Sequence, residues 1–153
     1  MKIDSIDKQI LSILQQDAQI TNVELARKIG ISPPAMLERV KRLEKNGIIK
    51  RYVAIVDPSK ISKGIFALVS VSLIAHQLSS IDQFTRQIKK LDEVLECYHV
   101  AGEEDFILKI AVSSIEEYEK FILSKLTKIN GVNKVNTKFV LSTVKYNTKI
   151  KIE

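Results

Sequence analysis

The chain has a single cysteine, Cys97, and no tryptophan. One thiol closes no disulfide within the chain, which argues against a disulfide-stapled secreted scaffold. Prolines number three and glycines five, far below what a collagenous or low-complexity chain carries. Long apolar runs are also missing. The longest weakly polar stretch, Ile65–Ala75, is interrupted by Ser70 and Ser72 and falls short of the roughly 20 residues that span a bilayer. Met1–Asp7 holds Lys2, Asp4 and Asp7 where a signal peptide would be apolar. A cytoplasmic protein with no membrane partner is expected. Aromatic residues make up 6% of the chain and form no stripe suited to stacking on RNA bases.

What remains is an ordinary globular composition with a basic bias. The 153 residues are 45% hydrophobic and 27% charged, with a net charge of +6 and a pI near 9.4. That length permits one domain or two small ones. Positive charge is densest in Ser32–Arg51, where Arg39, Lys41, Arg42, Lys45, Lys50 and Arg51 outnumber Glu38 and Glu44. Asp57-Pro58-Ser59 is the clearest break mid-chain, because an Asp-Pro step disfavours continued helix. The expected organisation is a first domain over residues 1–57, a linker over 58–64 and a second domain over 65–153.

The first domain reads as helices. Ile6, Ile10, Ile13 and Leu14 recur at helical spacing behind Asp4 and Ser5, so a helix is expected over about 5–16. Thr21-Asn22-Val23-Glu24 is a capping box that opens a helix over about 22–29, and Gly30 stops it. Ser32-Pro33 supplies a fresh cap with proline at the first helical position. This third helix continues to Asn46, with Gly47 ending it. The two helices around Gly30-Ile31-Ser32 make a helix–turn–helix. Met36, Val40 and Leu43 should pack on Leu25, Ala26 and Ile29. That leaves Pro34, Ala35, Glu38, Arg39, Lys41, Arg42 and Lys45 on or near the opposite side, a basic helix suited to the major groove of double-stranded DNA. Ser32 sits at its entry. Ile48–Val56 reads as a strand that forms a wing, with Lys50 and Arg51 near phosphates.

The second domain alternates strand and helix. Strands are expected at Ile65–Ala75, Glu93–Ala101, Phe106–Val112 and Val132–Val144, and helices after Ser79 and after the capping box Ser114-x-x-Glu117. The order is βαββαβ, the ferredoxin-like arrangement, so the whole chain is of the α+β class. Right-handed crossovers put both helices on one face of the sheet. The other face is mixed in character, as in a subunit interface. The second strand, with Glu96 on one face and Cys97 and His99 on the other, assigns poorly. Gly102-Glu103-Glu104-Asp105 is read as a hairpin loop, for which glycine at positive φ and solvated acids would be explanation enough. The tail from Val144 to Ile152 alternates partly and suits either an added edge strand or a lysine-guarded edge.

Ile3-Asp4-x-x-Asp7-x-x-Ile10-Leu11, Glu24-Leu25-Ala26, Ser32-Pro33 and Arg39-Val40-Lys41-Arg42-Leu43-Glu44-x-x-Gly47-Ile48-Ile49 together resemble the DNA-binding half of the leucine-responsive/asparagine (Lrp/AsnC) family of feast-or-famine transcriptional regulators. Val94–Ala101 followed by Gly102-x-x-Asp105-Phe106, with Gly131-Val132, Thr137 and Val144-Lys145, resembles that family's effector-binding and oligomerisation domain. Met36, in place of a β-branched residue, and Ala101, in place of threonine, depart from its pattern. The resemblance implies a winged helix–turn–helix regulator of transcription. It further implies a small amino acid or related metabolite held between subunits near His99, Ala101, Gly102, Glu103, Glu104 and Asp105, with Asp105 holding the loop. Dimers joining into an octamer or related ring are implied too.

Two other readings stay open on the residues. Some proteins of similar architecture are tetrapyrrole decarboxylases that use histidines of the second domain, and here only His76 and His99 are present. A DNA-organising protein without an effector is the other. No Walker loop, Ser/His/Asp set or paired-histidine zinc motif occurs, so no enzyme, cofactor or metal is expected. His76, Cys97 and His99 fall short of the four ligands of a closed zinc site.

Overall fold

The computed structural model describes residues 2–74 and 78–152. His76, invoked above for tetrapyrrole chemistry and for metal, lies outside them. The chain divides into two compact units.

The first unit is built on α1 (Ser5–Leu14), α2 (Asn22–Ile29) and α3 (Pro33–Lys45). Each start is fixed by a short polar side chain that satisfies an otherwise orphaned amide. The Asp7 amide donates to Asp4 Oδ1 at 2.8 Å. The Glu24 amide donates to Thr21 Oγ1 at 3.2 Å, while the Thr21 amide donates back to the Glu24 carboxylate at 3.1 Å. Gly30 ends α2 at φ +83°, a left-handed conformation that only glycine adopts without strain. Ile10, Leu25, Ala26, Met36, Val40 and Leu43 are buried together, the interface expected from the helical spacing.

Three features depart from the sequence expectations here. Helix α1 stops at Leu14 rather than residue 16. Ile48–Val56 forms no strand. The amides of Ile48 and Ile49 turn back to the Leu43 carbonyl at 3.0 and 3.2 Å, and the rest of the segment finds no ladder partner among the described residues. The tail from Val144 onward joins the first unit rather than the domain that precedes it. Gln15 explains this: its amide nitrogen donates to the Ile150 carbonyl at 3.1 Å, and its carbonyl accepts from the Ile150 amide at 2.7 Å. Ile152 then packs on the helical core. The tail therefore adds no edge strand.

The second unit spans Val56–Thr143. It holds β1 (Ile65–Leu73), α4 (Leu78–Ile88), β2 (Val94–His99), β3 (Phe106–Val112), α5 (Ile115–Ser124) and β4 (Val132–Phe139). The strands are antiparallel in the order β2-β3-β1-β4, as the ferredoxin-like reading requires. Ala67, Val69, Val71 and Leu73 alternate onto one face with Phe106, Leu108 and Ile110, and Phe84, Ile88, Phe121 and Leu126 cover them. The second face carries Leu68, Ser70 and Ser72 opposite Lys109, Ile107, Asn136 and Lys134. Strand β2 resisted assignment because its register slips between Val94 and Glu96. A bulge inserts one residue and breaks the alternation of faces.

Candidate nucleic-acid interface and effector loop

Helix α3 presents two unlike sides. Met36, Val40 and Leu43 are buried, whereas Pro34, Ala35, Leu37, Glu38, Lys41 and Lys45 are exposed. At 3.6 residues per turn, Pro34, Glu38, Lys41 and Lys45 form the stripe opposite the core. This outward stripe carries two ammonium groups, one carboxylate and a small entry surface. Ser32 is committed to the helix start, since its hydroxyl accepts from the Ala35 amide at 3.4 Å. Arg51 is exposed on the extended segment after α3.

Arg39 and Arg42 are placed differently from the sequence expectation. Both turn toward α1 and meet Asp7, whose side chain is wholly buried. Arg39 Nη1 donates to Asp7 Oδ1 at 2.7 Å and to Asp4 Oδ2 at 2.8 Å. Arg42 Nη2 donates to both Asp7 oxygens, at 3.1 and 3.0 Å. A buried carboxylate is tolerated only when charged partners surround it in this way. The Asp7 backbone amide, and then the Arg39 guanidinium, hold the Asp4 carboxyl below its usual range. Asp4 and Asp7 in turn push the Arg39 guanidinium further up.

A signal for this cluster was present in the sequence. Asp7 falls on the apolar stripe of α1, three and four residues before Ile10 and Leu11, and a charge there calls for a buried partner. Two arginines three apart on the next basic helix supply it.

The loop after β2 is anchored by one side chain. Asp105 is buried, and its Oδ2 accepts from the Leu73 amide at 2.7 Å. The Asp105 amide donates to the Val71 carbonyl at 3.0 Å, and the Val100 amide closes the loop on the Asp105 carbonyl at 2.9 Å. Asp105 thus continues the β1–β3 ladder past its end. Ala101, Gly102 and Glu103 are exposed above this anchor, and Glu104 is half-buried. His99 stacks on Phe106, with ring centroids 4.9 Å apart. The φ of Gly102 lies outside the left-handed region, and a Cβ built there meets nothing within 4 Å. Neither backbone conformation nor packing within the chain accounts for glycine at this position, contrary to the turn explanation above.

Among the described residues no three His, Cys, Asp or Glu side chains gather as a metal site. No described helix is long and apolar enough to cross a membrane.

Comparison with known proteins agrees with this geometry. Residues 3–50 match the winged helix-turn-helix DNA-binding family, and residues 66–150 match the Lrp/AsnC ligand binding domain. The leucine-responsive regulatory protein of Escherichia coli K12 is 36% identical over 151 residues, covering 99% of this chain and 92% of that protein. A Neisseria meningitidis transcriptional regulator, solved in complex with L-methionine, superposes with a TM-score of 0.91 at 32% identity, over 97% of this chain and 96% of the other. AsnC of E. coli superposes with a TM-score of 0.90 at 25% identity, over 99% and 100% of the two chains.

Proposed function

Because the chain belongs to the Lrp/AsnC family of DNA-binding transcriptional regulators, we propose that it reads double-stranded DNA with the outward stripe of α3 and answers to a small amino acid bound at the Gly102–Asp105 loop. The observation that carries the first half is the exposure of Pro34, Glu38, Lys41 and Lys45 on a helix whose opposite side is fully packed. Lys41 and Lys45 supply phosphate contacts, and Arg51 extends them along the segment that follows. Glu38 supplies base readout, since a carboxylate accepts from cytosine N4. The effector half is supported by the exposed, unfilled space at Gly102 over a rigid Asp105 anchor, and by the relative that binds L-methionine. Solved relatives across nearly the full chain are transcriptional regulators, which sets the tetrapyrrole reading aside and marks the chain as no enzyme.

The test is the salt dependence of DNA binding. Lys41→Ala and Lys45→Ala are each expected to lower the slope of log K against log salt by about 0.9 for each copy engaged. They should weaken all sequences alike. Glu38→Gln is expected to keep the number of phosphate contacts and change preference at one base pair, worth about 1–3 kcal/mol of discrimination. Unchanged slopes in both lysine variants, folded by circular dichroism, would remove α3 from the groove.

The same reading includes assembly through copies of the chain, dimers joining into an octamer or related ring. Tyr52, Val53, Ile55 and Val56 are all large, apolar and exposed on a segment with no ladder partner among the described residues. Such a segment in water is a template for strand pairing. A two-fold dimer also matches the two half-sites that helix–turn–helix regulators read. Sedimentation at micromolar concentration should give at least twice the chain mass. A monomer there would sink this part of the reading.

A further inference from the structure

The two arginines of α3 are the most basic groups on the helix proposed to read DNA, yet the structure ties both to α1. Asp7 receives Arg39 on one oxygen and Arg42 on both, and Asp4 takes the remaining contact from Arg39. Two carboxylates face two guanidiniums, so the cluster adds no net charge to the surface presented to phosphates. Releasing both arginines to phosphates would strand the Asp7 carboxylate, which is wholly buried, without a charged partner. Such a stranded charge is far costlier than a solvated contact is worth.

The position of the clamp gives it a second consequence. Arg39 follows Glu38 directly, and Arg42 follows Lys41, so the clamped residues are chain neighbours of those that face outward. The two guanidiniums, each donating twice through one nitrogen to the Asp4–Asp7 pair, tie α3 to α1 from two positions three residues apart and so fix its roll about its own axis. Base readout needs its side chains held to about 0.5 Å and 10–20°. Phosphate contacts by flexible lysines tolerate much more.

We propose that Asp7 is the positioning residue for base recognition: through Arg39 and Arg42 it sets the roll of α3, and so governs discrimination between sequences rather than attraction to phosphate. This rests on the reading that α3 enters the major groove. Without the clamp, Lys41 and Lys45 still find phosphates, while Glu38 loses its fixed register on the base edge.

The experiment uses the full-length protein and two duplexes, one selected in vitro by the wild type and one of scrambled sequence and equal composition. Dissociation constants for both are measured over a range of salt for wild type, Asp7→Asn, Arg42→Met and Lys41→Ala. Arg42→Met is expected to keep the wild-type salt slope and Asp7→Asn to keep or raise it, since its arginines are no longer tied. Both are expected to lower the ratio of scrambled to selected dissociation constants about tenfold, within the value of one bidentate base contact. Lys41→Ala is expected to do the reverse, losing slope and keeping the ratio. Should Asp7→Asn fail to fold, the double variant Asp7→Leu/Arg42→Met replaces the ion pair by apolar contact, and the same loss of discrimination is expected from it. A slope lowered in Arg42→Met as much as in Lys41→Ala would make Arg42 a phosphate ligand and overturn the proposal. An unchanged ratio in the folded variants would overturn it too, leaving the clamp a purely structural one. A wild type that selects no duplex fails the DNA reading itself, a separate outcome.

Discussion

Leu43→Ala is expected to abolish DNA binding while the four-stranded sheet stays folded. Leu43 is completely buried, in one cluster with Ile10, Leu25, Ala26, Met36 and Val40. Truncating such a leucine removes its transfer free energy and leaves a cavity, together about 2–5 kcal/mol. A helical unit of this size has little to spare, since small domains bury a low fraction of their surface and domain stabilities start near 5 kcal/mol. The sheet unit keeps its own core around Phe84, Phe106 and Phe121, to which Leu43 contributes nothing. Urea unfolding followed by circular dichroism should therefore show the helical transition shifted to low denaturant and the sheet transition in place. Leu37→Ala is the matched control, because Leu37 lies 40% exposed on the same helix and should change stability by no more than about 0.5 kcal/mol. A Leu43→Ala protein that binds DNA as the wild type does would mean that the three-helix core is not what holds the reading helix.

The elements that were legible in the sequence are those whose ends are set locally. Thr21 with Glu24, Gly30, and Ser32 with Pro33 fix three helix boundaries by contacts within four residues, and Ser114 does the same for α5. Strand β3 was legible because the alternation of Phe106, Leu108 and Ile110 matches its burial from Phe106 to Ile110. What escaped depends on partners distant in sequence. The fate of Arg39 and Arg42 is decided by Asp7, 32 and 35 residues earlier. The tail goes to the helical unit because of Gln15, 135 residues away. Nothing local in Val144–Ile152 announces the contact with Gln15. Ile48–Val56 has strand composition, but a strand needs a neighbour, and composition cannot supply one. The bulge in β2 is invisible for a related reason, since a register slip is a property of two strands. At the candidate site, the outward stripe of α3 followed from periodicity alone, while the separation of lysines from arginines on that helix required the fold. The anchoring role given to Asp105 by resemblance has its physical form in the bond from the Leu73 amide. The glycine beside it turned out to need a different explanation from the one its position in a loop suggested.

That glycine carries the second large effect. Gly102→Val is expected to leave folding and DNA binding intact and to remove the response to an amino acid. The fold tolerates the side chain for two reasons found in the chain itself. The backbone there does not adopt the left-handed conformation that penalises a β-branched residue, and the space where the Cβ would stand is open to 4 Å. The loop is held from below by Asp105, through the Leu73 amide, the Val71 carbonyl and the Val100 amide, none of which valine disturbs. A stability change within about 0.5 kcal/mol is therefore expected, as for other surface substitutions. The ligand is affected differently. An ammonium or carboxylate seated on backbone groups must come within hydrogen-bond distance of them, and at Gly102 no side chain stands in the way. Two γ-methyl groups placed there overpack the site by about 1–3 kcal/mol, which lowers affinity at least about tenfold near the middle of that range. The effector acts only through its difference in affinity between states of the protein, so weakening its binding also removes its effect on assembly or DNA affinity. Calorimetric titration of an amino-acid panel that includes methionine and leucine, into wild type and Gly102→Val, decides the matter. Equal binding by both proteins would place the pocket away from this loop. No binding by the wild type would favour a DNA-organising role that needs no effector. Binding by the wild type alone, with unchanged unfolding midpoints, would mean that the glycine is there for a molecule the chain itself does not contain.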